Sequence, residues 1–285
     1  FTFPYLHKES EFVDFDRDRL RFWSISNEGP RASQADINGD GRLELVIPGA
    51  KGQSTSLWKQ SSSGVWSTAQ TSLFDQDSLA EDVVAHFFDA NGDGAADLLV
   101  GSGGIEFSDF APSYQDRLYL NDGKGNFSRS GQLFPATPTS FILSWDGDQD
   151  GDLDLILGQR GFPFGYGIAV GVQFWKNDGK GNLKRDERFP MIYENGSSVS
   201  AADYDKDGDL DVFIGNNSKS NSFGRMPDCY LMNNNKGVFT IVQAATFSSI
   251  GMVTDAVVTD FNKDGTLDLI VVGEWMKPTF FANNK

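Results

Sequence analysis

The sequence predicts an all-β chain made of a repeated four-stranded antiparallel sheet. Three observations predict it: an acidic nine-residue loop that occurs five times, a short apolar run directly after each copy, and Gly-rich hairpin turns later in the same period. The loops begin at Asp36, Asp89, Asp146, Asp203 and Asp260, so the intervals are 53, 57, 57 and 57 residues. An even period of that length marks a stacked structural unit.

The second period shows the elements in order. A strand from Val83 to Asp89 enters the loop, and an apolar run from Asp97 to Gly101 leaves it as a buried strand. A long connector leads to a third strand, Arg117 to Asn121. The turn Asp122-Gly-Lys-Gly-Asn126 then starts a fourth strand at Phe127, and it recurs at Asn177 to Asn182 and more loosely at Asn233 to Gly237. Gly-rich turns of this kind are strong hairpin signals.

The loops have the chemistry of a hard-cation site. Hard divalent cations take six to eight oxygens, which a short loop supplies from alternate side chains around a tight bend. Position 1 is Asp36, Asp89, Asp146, Asp203 or Asp260; position 3 is Asn38, Asn91, Asp148, Asp205 or Asn262; position 5 is Asp40, Asp93, Asp150, Asp207 or Asp264. Position 9 is Glu44, Asp97, Asp154, Asp211 or Asp268, and position 7 would offer the carbonyl of Arg42, Ala95, Asp152, Asp209 or Thr266. Position 6 is always Gly, which allows a left-handed backbone at the bend. No His or Cys enters any copy, so calcium is expected, about five ions in all. A helix-loop-helix calcium site would need a carboxylate at position 12. Ile47, Val100, Leu157, Ile214 and Val271 stand there instead, so each ion is expected between two strands. The first loop, with its longer Glu44, is expected to be the weakest.

Composition bounds the function. The chain has 285 residues and a net charge of −16, and 17 of its 40 acidic side chains occupy proposed ligand positions. Five divalent ions would bring the charge to −6. The acidity is therefore chiefly a metal-binding property, with no nucleic-acid footprint and no basic stripe for a membrane. No apolar run is long enough to span a bilayer, and the one cysteine, Cys229, cannot form an internal disulfide. Loops of modest calcium affinity work best where free calcium is millimolar. The expected location is therefore extracellular or at the cell surface.

Four antiparallel strands per period, repeated around an axis, describe a β-propeller. On the Asp-x-Asp-x-Asp-Gly-x-x-Asp loop between the first two strands, the chain resembles the FG-GAP or VCBS repeats of integrin-like propellers. Longer stretches, such as Tyr114-Gln-Asp-Arg-Leu-Tyr-Leu-Asn-Asp-Gly123 and Val271-Val-Gly-Glu-Trp-Met276, resemble one propeller region of exported bacterial proteins related to cartilage acidic protein. The resemblance implies a single propeller domain over residues 1–285, the same metal ligands, and no known catalytic centre. Blades are expected at about 31–80, 81–138, 139–195, 196–250 and 251–285. Five blades are fewer than the seven usual in such propellers. Either Glu11 to Phe15 within residues 1–30 completes the last blade, or the chain is part of a longer propeller.

Strand order places the connectors 101–115, 158–171 and 215–228 on the side opposite the acidic loops. They carry Phe107, Phe110, Tyr114, Phe162, Phe164, Tyr166 and Phe223, with Arg160 and Arg225. Two readings stay open: a recognition surface, or rings folded inward over the blade edges. Trp23, Trp58, Trp66, Trp145 and Trp175 are expected in the core, and Trp275 fits either class. His86, in an apolar strand, is expected to be structural. No nucleophile–base pair is evident, so the chain is expected not to be an enzyme. The expected function is a calcium-binding scaffold or adhesion module that meets a protein or glycan at the cell surface, within a larger polypeptide or assembly. A lectin-like carbohydrate binder is the alternative, and a sugar-converting enzyme comes third.

Overall fold

The computed structural model of the chain describes residues 3–20, 24–159, 161–165, 167–242 and 245–284. Five antiparallel sheets follow one another in chain order. The first holds β1 (Ser33–Ala35), β2 (Glu44–Ile47), β3 (Ser56–Gln60) and β4 (Trp66–Ala69). The second holds β5 (Asp82–Phe88), β6 (Asp97–Ser102), β7 (Arg117–Asn121) and β8 (Phe127–Arg129). The third holds β9 (Thr139–Trp145), β10 (Asp154–Gln159), β11 (Val172–Asn177) and β12 (Leu183–Arg185). The fourth holds β13 (Glu194–Ala202), β14 (Asp211–Lys219), β15 (Tyr230–Asn235) and β16 (Val238–Val242). The fifth has three strands among the described residues, β17 (Met252–Thr259), β18 (Asp268–Glu274) and β19 (Thr279–Phe281).

Each sheet is an up-and-down meander, so every acidic loop joins a first strand to a second one. The second strands of the middle three sheets are apolar on both faces because a neighbouring sheet covers each side, which is why they read as continuous apolar runs. Leu98, Leu99 and Val100 are wholly enclosed, as are Leu155 and Ile156. Four clusters fill the spaces between successive sheets. Ile37, Val46 and Leu57 pack on Leu98, Tyr119 and Phe127, and Phe88 and Leu118 pack on Leu155, Trp175 and Leu183. Trp145 and Phe174 pack on Val212, Met232 and Phe239, and Phe213 and Cys229 pack on Val253, Leu269 and Val271. Burial of one such side chain stabilises the fold by about 1.5–3 kcal/mol. On the far face of the fifth sheet, Val257, Ile270 and Phe280 lie in register, and Val257 and Phe280 are exposed.

Trp58, Trp145 and Trp175 are buried as core residues, Trp66 is half-buried against Phe3, and Trp275 stands out into solvent. Trp23 lies outside the described residues. His86 Nε2 pairs with Ser144 Oγ at 2.8 Å, and burial pulls its pKa down to about 4, which fits a structural role.

The segment before β1 departs from expectation. Glu11 to Phe15 forms no strand; Asp14–Arg17 is one helical turn, α1. Asp14 Oδ2 accepts the N–H groups of Ile25 and Ser26, and Arg17 Nη1 donates to the carbonyls of Ile105 and Phe107. These bonds tie the segment to the connector of the second sheet. It therefore adds no fourth strand to the fifth sheet.

Candidate metal centres and the opposite face

All five loops share one hydrogen-bonded frame. The position 1 carboxylate accepts the N–H of position 5 at 3.1–3.3 Å and that of the position 6 glycine at 2.8–3.1 Å. Position 5 accepts the N–H of position 7, from Arg42, Ala95, Asp152, Asp209 or Thr266. Gly41, Gly94, Gly151, Gly208 and Gly265 all have φ between 80° and 99°, a region costly for any side-chain-bearing residue.

Position 9 does more than the sequence implied. Glu44, Asp97, Asp154, Asp211 and Asp268 are at most 2% exposed. One oxygen of each accepts the N–H of position 2, from Ile37, Ala90, Gly147, Tyr204 or Phe261. In the last four loops the other oxygen accepts a backbone N–H from beyond the second strand, that of Asn121, Asn177, Asn234 or Asn283. In loops 2 to 4 these carboxylates fasten the loop to the third strand of its own sheet, and in loop 5 to the residues just after that strand.

Those four asparagines are the residues that sequence reasoning missed. Asn177 Nδ2 donates to Leu153 O of its own loop and to Ala90 O of the preceding loop. Asn121 bridges Ala96 O and Ile37 O in the same way, and Asn234 bridges Leu210 O and Gly147 O. Asn283 reaches Tyr204 O. Every successive pair of sheets is thus pinned by one amide at the rim that carries the loops. The repeated Asn before the Gly-rich turn was the available signal, though it read only as turn chemistry.

The loops differ in how well their oxygens are already satisfied. In loops 1, 2 and 5 the position 3 asparagine donates its Nδ2 to a loop carboxylate, Glu44, Asp93 or Asp264. Arg42 also pairs with Asp40. Loops 3 and 4 have aspartate at position 3, and Asp146, Asp148 and Asp150, like Asp203, Asp205 and Asp207, bring carboxylate oxygens within 4.8 Å of one another. Asp148 Oδ1 and Asp205 Oδ1 are buried with no hydrogen-bond partner. Lys176 and Asn233 satisfy the other oxygens of that pair, at 2.5 and 2.7 Å. At position 9 electrostatics groups loop 2 with loops 3 and 4, since burial, with Asp93 and Asp89 nearby, also raises Asp97. Burial, with repulsion from Asp148 and Asp150, pushes Asp154 up to about 7, and burial with Asp205 and Asp207 nearby pushes Asp211 up to about 6. In contrast, the Gly41 N–H lowers Asp36, and Thr266 lowers Asp264. An orphaned buried oxygen among crowded carboxylates fits a divalent cation. That donor set is most complete in loops 3 and 4.

On the opposite side the three connectors form one continuous surface. Phe110 meets Phe162 edge-on at 5.9 Å, and Asn221 donates its N–H to Gly167 O at 2.8 Å. Tyr114 is fully buried and its hydroxyl holds the Phe107 backbone, so that ring folds inward. Phe110, Phe164 and Phe223 are 67%, 60% and 58% exposed, so these three point outward. The Arg17 guanidinium lies 4.3 Å from the Phe164 ring centre, and Arg225 is exposed. Arg160 and Tyr166 lie outside the described residues.

Beneath this face the structure brings together two carboxyls that the sequence gave no reason to pair. Glu81 and Glu106 are 4% and 5% exposed and lie beside each other. Glu81 Oε2 accepts the Lys51 N–H, and Glu106 Oε1 accepts the Ser10 hydroxyl. Gly104, at φ +73°, leaves no space for a Cβ beside Glu106. Burial, then the charge of Glu106, raises Glu81 to about 9, so the pair holds a proton at neutral pH. A glycosidase pair would be open to substrate and set apart, whereas this one is enclosed. Folded Glu81 keeps its proton above its ordinary value of 4.5, so the stabilisation is complete below 4.5 and is lost as pH rises toward 9. Glu81→Gln is expected to flatten that loss: thermal melts at pH 8.5 should place the variant a few degrees above the parent, with the gap closing at pH 5.

The FG-GAP-like repeat family model matches residues 36–100 and 146–214. No curated protein sequence matches, so the narrower likeness to proteins related to cartilage acidic protein gains no support. Among solved structures, one provisionally named as an exo-beta-1,3-galactanase from Bifidobacterium bifidum s17 is similar at 9% identity and a TM-score of 0.42, over 84% of this chain and 80% of that one. The Bacillus licheniformis rhamnogalacturonan lyase PL11 is similar at 12% identity and a TM-score of 0.40; the alignment covers 89% of this chain and 57% of the lyase. Both bear enzyme names, which corrects the expectation that the chain is not an enzyme. Likeness at this level assigns no activity to it.

Proposed function

We propose that this chain, which carries FG-GAP-like repeats, is a calcium-loaded β-propeller of the cell exterior that binds a protein partner through its connector face. The propeller reading is supported by a cavity of about 400 Å³ where different sheets converge, lined by Arg31, Val83, Thr139, Thr254 and Glu274. Arg31 also reaches across to Ser197 O at 3.1 Å. Calcium loading is supported by the orphaned oxygens of Asp148 and Asp205. Asp146, Asp148, Asp150 and Asp154, and Asp203, Asp205, Asp207 and Asp211, would hold the tighter ions. Loops 1, 2 and 5 would hold weaker ones. Bound cations would cancel the repulsion within the loops and keep the rim rigid.

The single observation that carries the recognition reading is the set of exposed phenylalanines on joined connectors, with a guanidinium against one ring. Aromatic and arginine anchors on a rigid scaffold are the usual centres of protein interfaces. The chain should therefore capture a defined protein from a cell-surface extract in millimolar calcium, and Phe110→Ala with Phe164→Ala should weaken capture at least tenfold without changing the melt. A glycan and polysaccharide array, run with calcium and with EDTA, tests the carbohydrate-binding alternative. Calcium-dependent binding of one sugar that the same substitutions abolish would replace the protein-partner reading.

A further inference from the structure

Position 4 of each acidic loop supplies no proposed ligand, and there the five repeats diverge. It is Gly39, Gly92, Gln149, Lys206 or Lys263. The position faces the next sheet along the rim: Gly92 lies against Gly179 O of the third sheet's hairpin, and Lys206 brings its charge near Asp264 of loop 5. Among the described residues, Gln149 is the one position 4 side chain that hydrogen-bonds another loop. Its Nε2 donates to Gly208 O at 3.2 Å and to Asp209 Oδ1, at positions 6 and 7 of loop 4.

These acceptors govern a ligand position. The peptide unit between Gly208 and Asp209 is held at both ends, its carbonyl by Gln149 and its N–H by Asp207 Oδ1. Asp209 is 6% exposed, and its second carboxylate oxygen accepts the Lys236 N–H. The carbonyl that Asp209 would offer at position 7 is therefore oriented in part from loop 3. Gln149 is placed in turn by its own loop, because it stands between Asp148 and Asp150 with φ at +59°. Two further contacts join the same loops: Asn234 ties Gly147 O to Leu210 O, and Gly237 packs on Asp148. Loops 2 and 3 share the corresponding Asn177 bridge. They lack the side-chain link, since loop 2 has Gly92 at position 4.

We infer that Gln149 couples loops 3 and 4, so that the two take up calcium cooperatively and each ion raises the affinity for the other. The inference rests on the calcium reading above and makes its two tighter sites a single unit. Without a cation, like charges push Asp148 from Asp150 and leave the residue between them loosely held. A cation that gathers those carboxylates fixes the Gln149 backbone, and the amide then holds the Gly208–Asp209 peptide ready for the second ion. Ordering done at one loop need not be repeated at the other, which is positive coupling. Linkage makes it reciprocal. Gln149 acts by positioning and not as a ligand.

Calorimetric titration of the calcium-free intact protein tests this, with Gln149→Gly and Gln149→Met beside the parent. Glycine suits the left-handed backbone, and methionine keeps the length of the side chain without its donor. Asp148→Asn leaves loop 4 as the lone tight site and Asp205→Asn leaves loop 3, which gives the affinity of each without its neighbour. In the parent, the second ion is expected to bind at least about fivefold more tightly than in these single-site proteins. Both Gln149 variants should keep two tight events at the single-site affinities, and should melt like the parent in EDTA. Coupling that survives in the Gln149 variants, or a parent whose two events match the single-site values, overturns the inference and leaves calcium loading standing. No tight binding in any of these proteins overturns it together with the calcium reading.

Discussion

Replacing Asn177 with Ala is expected to destabilise the protein by about 3 kcal/mol, more than removal of any exposed loop carboxylate. One side chain satisfies the buried carbonyl of Ala90 and the part-buried carbonyl of Leu153 through Nδ2, and its Oδ1 accepts the N–H groups of Asp178 and Gly179. Alanine leaves both carbonyls without a donor, and each buried unsatisfied group costs about 1–3 kcal/mol. Asn177→Asp should be no better, because a carboxylate accepts but cannot donate to either carbonyl. Urea unfolding checks the value, and a loss below about 1 kcal/mol would show that the amide does not join the second sheet to the third.

Chelation is expected to have an effect of similar or larger size. With free calcium at one hundred times the dissociation constant, each site adds about 2.7 kcal/mol to stability. Loops 3 and 4 together would then lose about 5 kcal/mol on transfer to EDTA, on the order of 10 °C in melting temperature for a chain of this size. The repulsion that remains in the empty loops acts in the same direction. Asp148→Asn with Asp205→Asn should remove most of the EDTA-sensitive part, because these substitutions give loops 3 and 4 the amide that loops 1, 2 and 5 already have. An unchanged melt in EDTA would contradict calcium loading.

Much of the fold was legible because the repeat and the strand patterns agree. A loop of fixed spacing followed by Leu98-Leu-Val100 or Leu155-Ile-Leu157 can be read locally, and the same elements appear in each sheet. What could not be read is set by contacts between repeats. Asn121, Asn177 and Asn234 look like turn residues until the neighbouring sheet supplies the second carbonyl. Glu81 and Glu106 lie 25 positions apart and meet only when the second sheet and its connector fold together. Loop 1 was expected to be weakest on account of Glu44. In loop 1, as in loops 2 and 5, an asparagine amide is already bonded to a carboxylate, and Arg42 also pairs with Asp40. The connector aromatics divide for a similar reason: Tyr114 turns inward because its hydroxyl finds the Phe107 backbone, whereas no comparable bond draws in Phe164.

Calorimetric titration of the calcium-free protein with calcium tests the account most directly. Two tight binding events are expected, followed by weaker ones. Asp148→Asn should remove one tight event and Asp205→Asn the other, with both variants still folded. No heat of binding up to millimolar calcium, or tight sites that survive both substitutions, would contradict the assignment of loops 3 and 4 as the metal centres.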